Sequence, residues 1–94
     1  MVRIIISGDV QGVGFRQYIR YKARKLNIKG WVRNLPASGQ DGFGEKVEAN
    51  FCGSKENVKK MIEISRHGPF LANVKSIDVE EVPDQKFEDF KILK

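Results

Sequence analysis

The stretch GDVQGVGFR, residues 8–16, places three glycines within nine positions and ends on an aromatic residue and an arginine. Before it, apolar residues alternate along residues 2–6, which predicts a strand. After it, apolar residues recur at helical spacing and predict a helix with one buried stripe; the stripe consists of Phe15, Ile19, Ala23 and Leu26. The glycines therefore lie in the connection between a strand and the amino end of a helix.

In the middle of the chain, strand-like alternation of apolar residues is again followed by helical spacing. Residues 28–35 and 46–51 alternate as two strands of a hairpin with a glycine-rich tip. Ser54 is typical of a residue that caps a second helix, and residues 67–69, His-Gly-Pro, predict the end of that helix. A second strand-rich segment is thus followed by a second helix.

Two further strands complete the prediction, one near residues 74–82 and a short one that contains Phe90 and Ile92. The order β-α-β-β-α-β with a short extra carboxy-terminal strand is the split β-α-β arrangement of an α+β fold. We expect an antiparallel sheet covered on one face by two helices, and a single domain over residues 1–94. This arrangement serves many unrelated functions, so the function must be argued from the site.

Composition narrows the class of protein. Hydrophobic residues make up 40% and charged residues 31% of the chain, the balance of a folded domain. Seventeen basic and twelve acidic residues give a net charge of +5, which favours anionic ligands, from nucleic acid to phosphorylated metabolites. The apolar run at the amino terminus is too short for a signal or a membrane span, and the single Cys52 has no partner for a disulfide. We expect a cytoplasmic, monomeric protein that is not associated with a membrane.

The glycines have a chemical use as well as a structural one. A glycine-rich turn leaves backbone N–H groups unshielded, so that several of them can converge on one anion. The amino end of the helix adds its positive dipole, and Arg16 adds a guanidinium that can hold two phosphate oxygens. We expect donors from the backbone of residues 11–16, with Val10 and Val13 anchoring the turn. Taken alone, the same residues would also suit a simple tight turn with a solvated arginine.

Several motifs resemble those of one family. GDVQGVGFR resembles the G-x-V-Q-G-V-x-F-R motif of the acylphosphatases, and GWVRN at residues 30–34 resembles their second motif. GPFLANV at residues 68–74 is similar to their G-P-x-x-A-x-V segment, and FEDF, residues 87–90, is similar to their last strand. The resemblance covers almost the whole chain and implies a ferredoxin-like α/β sandwich.

The resemblance also implies a reaction, the hydrolysis of a small-molecule acyl phosphate to a carboxylate and inorganic phosphate. It assigns Asn34 to the attacking water and makes Arg16 and the loop the phosphate site. Positioning and charge stabilisation supply most of the catalysis in phosphoryl transfer, so neither a metal nor a cofactor is expected. Asp9 occupies a variable motif position and is expected to be exposed rather than to act as a base. The phosphate-binding residues implied are Gln11, Gly12, Val13, Gly14, Phe15 and Arg16.

The chain departs from the family pattern at the hairpin tip. Residues 35–46, LPASGQDGFGEK, stand where most acylphosphatases have a short turn. Asp41-Gly42 is the candidate for that turn, displaced by an insertion of about seven residues, which a hairpin tip accommodates at low entropic cost. We expect the tip to lie outside the sheet rather than to fold toward the site.

Two other functions are compatible with the sequence. A nucleic-acid-binding module of the same fold would carry stacking aromatics on its central strands, whereas residues 46–51 are expected to expose Lys46, Glu48 and Asn50 on one face. We therefore expect no nucleic-acid partner. Acylphosphatase-like domains also occur within larger maturation proteins that handle carbamoyl phosphate; a stand-alone enzyme is the simpler expectation.

Overall fold

The computed structural model describes residues 1–36 and 45–93. Two helices and five strands follow one another in the predicted order, which confirms the α+β class. In chain order the elements are β1 (Val2–Asp9), α1 (Phe15–Lys25), β2 (Lys29–Asn34), β3 (Lys46–Cys52), α2 (Lys55–His67), β4 (Asn73–Glu81) and β5 (Phe90–Ile92). The proposed turn at Asp41-Gly42 lies outside the described residues, as does most of the hairpin tip.

The sheet has the strand order β4-β1-β3-β2-β5. Strand β1 pairs antiparallel with both β3 and β4, and β2 pairs antiparallel with β3. The expectation of a wholly antiparallel sheet is wrong at one edge, because β5 runs parallel to β2. The segment between β4 and β5 crosses from one edge of the sheet to the other at the end where β2 begins, so β5 must start from that same end.

The core lies between the sheet and the helices. The predicted stripe of α1 is confirmed, since Phe15, Ile19 and Ala23 are buried, and Val58 and Met61 of α2 are buried beside it. The Phe51 and Phe90 rings lie 5.9 Å apart in a tilted arrangement. The core residues from the strands are Ile4, Ile6, Val32, Val47, Ala49, Phe51 and Phe90. Neither helix within the described residues is long and apolar enough to cross a membrane.

The face of the sheet opposite the helices differs from the prediction. Glu48 and Asn50, expected to be exposed, retain only 3% and 8% of their accessible surface. The long side chains of the flanking strands fold over them: Arg3 and Arg33 each donate to one carboxylate oxygen of Glu48. Arg33 also lies 5.4 Å from the centre of the Trp31 ring. Both oxygens of this buried carboxylate are charge-paired, which offsets the cost of removing it from water.

Substitution of Gly30 tests how closely β2 and β3 approach. Gly30 has φ 140° in the register position opposite Phe51, and a Cβ there would overlap the Asn50 carbonyl oxygen. Gly30→Ala should lower the free energy of unfolding by about 3 kcal/mol or more. Gly12→Ala is the control, since Gly12 has φ 73° but nothing within 4 Å of its added Cβ; about 1–2 kcal/mol is expected there. If urea unfolding gave equal losses of unfolding free energy for the two variants, it would contradict the predicted overlap.

Asp89, the residue before β5, makes the free energy of unfolding depend on pH. Its carboxylate accepts hydrogen bonds from the Phe90 N–H and the Arg24 guanidinium, and these lower the Asp89 pKa from its usual value of 3.8. A lowered folded-state pKa gives stability that is present above pH 3.8 and is lost as the pH falls below it. Wild type should therefore have a higher Tm than Asp89→Asn near neutral pH, and the gap should close in acid. Glu88→Gln, the exposed neighbouring acid, should show no such closing gap.

Candidate active site

The connection between β1 and α1, residues 10–14, forms a tight loop that we call the glycine loop. Gly12 and Gly14 adopt positive φ values of 73° and 75°, and α1 begins directly afterwards at Phe15. Val10 is buried and Val13 packs against the core, which confirms their predicted anchoring. Apolar side chains thus hold the loop on the side that faces the core, and its glycines leave the backbone accessible on the solvent side.

The amino end of α1 has unusual electrostatics. Its first turn reads FRQY and carries no acidic residue, and its N-cap is Gly14, which has no side chain to accept from the first-turn N–H groups. The N–H groups of the first turn of a helix have no partners within the helix, and the helix dipole makes this end positive. The same turn carries the guanidinium of Arg16. These features together make a site for an anion.

A cleft of about 290 Å³ opens at this place. The Phe15 side chain is buried beneath it, so that only the Phe15 backbone is offered to a ligand. Ile92 of β5 forms part of the opposite wall, a contribution that the motifs did not indicate. The residues that line the cleft are Val10, Gly12, Gly14, Phe15, Arg16, Gln17 and Ile92.

Gln11 ties the glycine loop to the β2–β3 hairpin. Its side-chain Nε2 donates to the carbonyl oxygens of Leu35 at 3.1 Å and Lys46 at 3.0 Å. Its backbone N–H donates to Glu45 Oε1 at 2.8 Å. This N–H is therefore already engaged, whereas the sequence-based prediction had the free donors begin at residue 11.

Asn34 lies at the end of β2, on the face of the sheet that carries the helices. It pairs in register with the buried Val47, and directly opposed residues of an antiparallel pair share one face. Gln11 bonds the carbonyl oxygens of Leu35 and Lys46, the chain neighbours of Asn34 and Val47, so Asn34 lies close to the loop. Its Oδ1 atom is buried and has no hydrogen-bond partner within residues 1–36 and 45–93.

The structure brings most of the predicted residues together. Gly12, Gly14, Phe15 and Arg16 share one cleft. Gln11 and Val13 belong to the glycine loop and Asn34 lies beside it, but none of these three lines the cleft. Asp9 is exposed, as predicted, and His67 lies at the end of α2. Glu45 was missed, because no motif includes it and only the folded hairpin carries it to the loop. No group of three potential metal ligands occurs among the described residues.

The acylphosphatase family model matches residues 2–92. The chain belongs to the acylphosphatase family. An acylphosphatase of Acaryochloris marina is 44% identical over 93 residues, which cover 99% of this chain and 92% of the relative. The solved structure of an acylphosphatase from Coxiella burnetii matches with a TM-score of 0.86 at 33% identity, covering 98% of this chain and 90% of the other.

The fold also occurs within a much larger protein. Full-length HypF, solved in a phosphate- and nucleotide-bound form, matches with a TM-score of 0.78 at 36% identity; the match covers 99% of this chain but 12% of HypF. The match to the acylphosphatases covers nearly the full length of both partners. As a member of the family, the chain is an acylphosphatase, an enzyme that hydrolyses small-molecule acyl phosphates.

Replacement of Gln11 tests the tie between the loop and the hairpin. Gln11→Ala leaves the Leu35 and Lys46 carbonyl oxygens without this donor and should lower the free energy of unfolding by about 1–2 kcal/mol. Gln17→Ala is the matched control, because it truncates an exposed glutamine that lines the neighbouring cleft; a change within about 0.5 kcal/mol is expected. Equal effects of the two variants in urea unfolding would show that the tie contributes nothing.

Proposed function

We propose that this acylphosphatase holds the phosphate of its substrate with the backbone N–H groups of residues 12–16 and the Arg16 guanidinium. Asn34 holds the attacking water, and no metal or cofactor takes part. One observation carries the proposal: the uncapped amino end of α1, the two glycines of positive φ and Arg16 all border one cleft. An acyl phosphate presents at its phosphoryl end the anion that such a cleft suits.

The phosphate site works through charge and geometry together. Converging N–H donors stabilise the charge on the phosphoryl oxygens, and they need no reorganisation as the reaction proceeds. The planar guanidinium of Arg16 can hold two of these oxygens at once and so fix the orientation of the phosphoryl group. The loop residues Gly12, Val13, Gly14 and Phe15 contribute through their backbone, which is why two of them can lack side chains.

The water is assigned to Asn34. The unpaired, buried Oδ1 of Asn34 is an acceptor that a water proton can satisfy, and a buried polar atom of this kind calls for such a partner. The water oxygen attacks phosphorus, the bond from phosphorus to the acyl oxygen breaks, and the carboxylate leaves. The proton of the water passes to an oxygen of the phosphoryl group. Of the carboxylates next to the loop within the described residues, neither is suited to take it, since Asp9 is exposed and Glu45 is engaged by backbone N–H groups.

The wider setting is part of the same proposal. The carboxylate of an acyl phosphate is already a good leaving group, so the donors named above suffice without a metal. We propose a monomeric enzyme of one domain over residues 1–94, acting in the cytoplasm with no nucleic-acid or membrane partner. The match to HypF keeps a second candidate, in which the same site serves a larger protein.

Release of phosphate from benzoyl phosphate in the presence of a chelator tests the proposal. Arg16→Ala and Asn34→Ala should each lower kcat/KM by about 100-fold or more, because each removes a group that acts in the transition state. The intact protein should keep its activity when a chelator is added.

Two variants serve as matched controls. Arg20→Ala removes an arginine one helical turn beyond Arg16 and outside the cleft. Asn50→Ala removes the other asparagine with a buried, unpaired Oδ1, which lies on the opposite face of the sheet. Both should keep kcat/KM within about threefold of wild type. Loss of activity on chelation would refute the metal-free mechanism, and full activity in either site variant would refute the role of that residue.

A further inference from the structure

Glu45 reaches across from the start of β3 and binds the beginning of the glycine loop. Its Oε1 atom accepts the backbone N–H of Val10 at 3.1 Å and that of Gln11 at 2.8 Å. Its own carbonyl oxygen accepts the Gly8 N–H at 3.2 Å. One residue is thus hydrogen-bonded to one position in β1 and two in the glycine loop, through both its backbone and its side chain.

This arrangement is costly for an exposed side chain. Glu45 is exposed, and an exposed glutamate ordinarily keeps its rotamer freedom in water. Two charge-assisted hydrogen bonds to one oxygen offset that loss. Successive N–H groups pointing at one place form a concave anion site, and here the protein's own carboxylate fills it.

The position of this internal anion fixes the direction in which the glycine loop begins. The peptide units that bear the Val10 and Gln11 N–H groups come immediately before the N–H groups of residues 12–16. Once the first two peptide planes are held, the left-handed turns at Gly12 and Gly14 start from a defined direction. The Gln11 side chain restrains the same point from the other side. Preorganised donors are what an electrostatic site needs.

We propose that Glu45 is a positioning residue of the glycine loop. Its carboxylate holds the first two N–H groups so that the next ones converge on the substrate phosphate. Glu45 itself touches neither the substrate nor the water. The effect on catalysis rests on the proposed function, whereas the effect on the loop does not.

Amide hydrogen exchange measured by NMR tests the contact directly. In Glu45→Ala the Val10 and Gln11 amides should exchange about tenfold faster than in wild type. In Glu45→Gln a side-chain carbonyl oxygen still accepts, so their exchange should stay near the wild-type rate. Unchanged exchange in Glu45→Ala would overturn the proposal. Equally fast exchange in both variants would do so too, because the glutamine side chain can still accept both N–H groups.

Kinetics with benzoyl phosphate test the consequence. Glu45→Ala should lower kcat/KM about tenfold, mainly through kcat, and Glu45→Gln should restore it to within about twofold of wild type. Glu63→Ala, which removes an exposed glutamate of α2, is the control for loss of charge and should have no effect. Wild-type kinetics in Glu45→Ala would overturn the link between the loop contact and the site.

A third measurement separates this inference from the proposed function. If the intact, folded protein does not hydrolyse benzoyl phosphate, the proposed function fails. The kinetics are then replaced by a titration with inorganic phosphate, which is monitored through the NMR amide signals of residues 12–16. About tenfold weaker phosphate binding in Glu45→Ala, restored in Glu45→Gln, would then support the positioning role. Equal binding by all three proteins would overturn it.

Discussion

The path of the backbone from β1 into α1 governs the rest of this structure. Strand β1 is hydrogen-bonded on both sides, by β3 and by β4, so its end cannot move without disturbing the sheet. The chain must turn within residues 10–14 and enter a helix whose first residue, Phe15, belongs to the core. Only residues that tolerate positive φ make so short a turn, and they leave its backbone uncovered.

The charges around this turn suit a helix end that binds an anion better than one that binds nothing. A helix is ordinarily stabilised by acidic residues in its first turn, yet α1 has none there and carries Arg16 instead. The arrangement is unfavourable for the helix alone and favourable once a phosphate neutralises it. Elsewhere the protein pairs its buried charge, as Arg3 and Arg33 do around Glu48. The contrast separates a charge cluster that is satisfied within the protein from one that is suited to an external anion.

The hairpin formed by β2 and β3 supplies the other half of the proposed site. The hairpin carries Asn34 at the end of β2 and Glu45 immediately before β3. The Gln11 side chain donates to the carbonyl oxygens of Leu35, which follows β2, and of Lys46, which begins β3. The glycine loop is therefore restrained from the core by Val10 and from the hairpin by hydrogen bonds. The same fold matches both an acylphosphatase of similar length and a segment of HypF.

Much of the molecule could be predicted from local sequence. Periodicity placed all seven elements to within a few residues, Ser54 caps α2 as expected, and Gly68 ends it with a φ of 67°. These features depend on residues near one another in the chain, where side-chain period and cap chemistry decide the outcome. The loop glycines and Arg16 are also neighbours in the chain, but their role came from the resemblance to the acylphosphatase motif and stays a prediction.

The order of the elements, the buried stripe of each helix and the glycine loop with Arg16 at its end follow from the amino-acid sequence alone. Tertiary structure alone decided the parallel pairing of β5, the burial of Glu48 and the contact of Glu45 with the Val10 and Gln11 N–H groups. Each of these joins residues far apart in the chain. Such contacts depend on which strand ends meet in space, and no local period or propensity encodes that meeting.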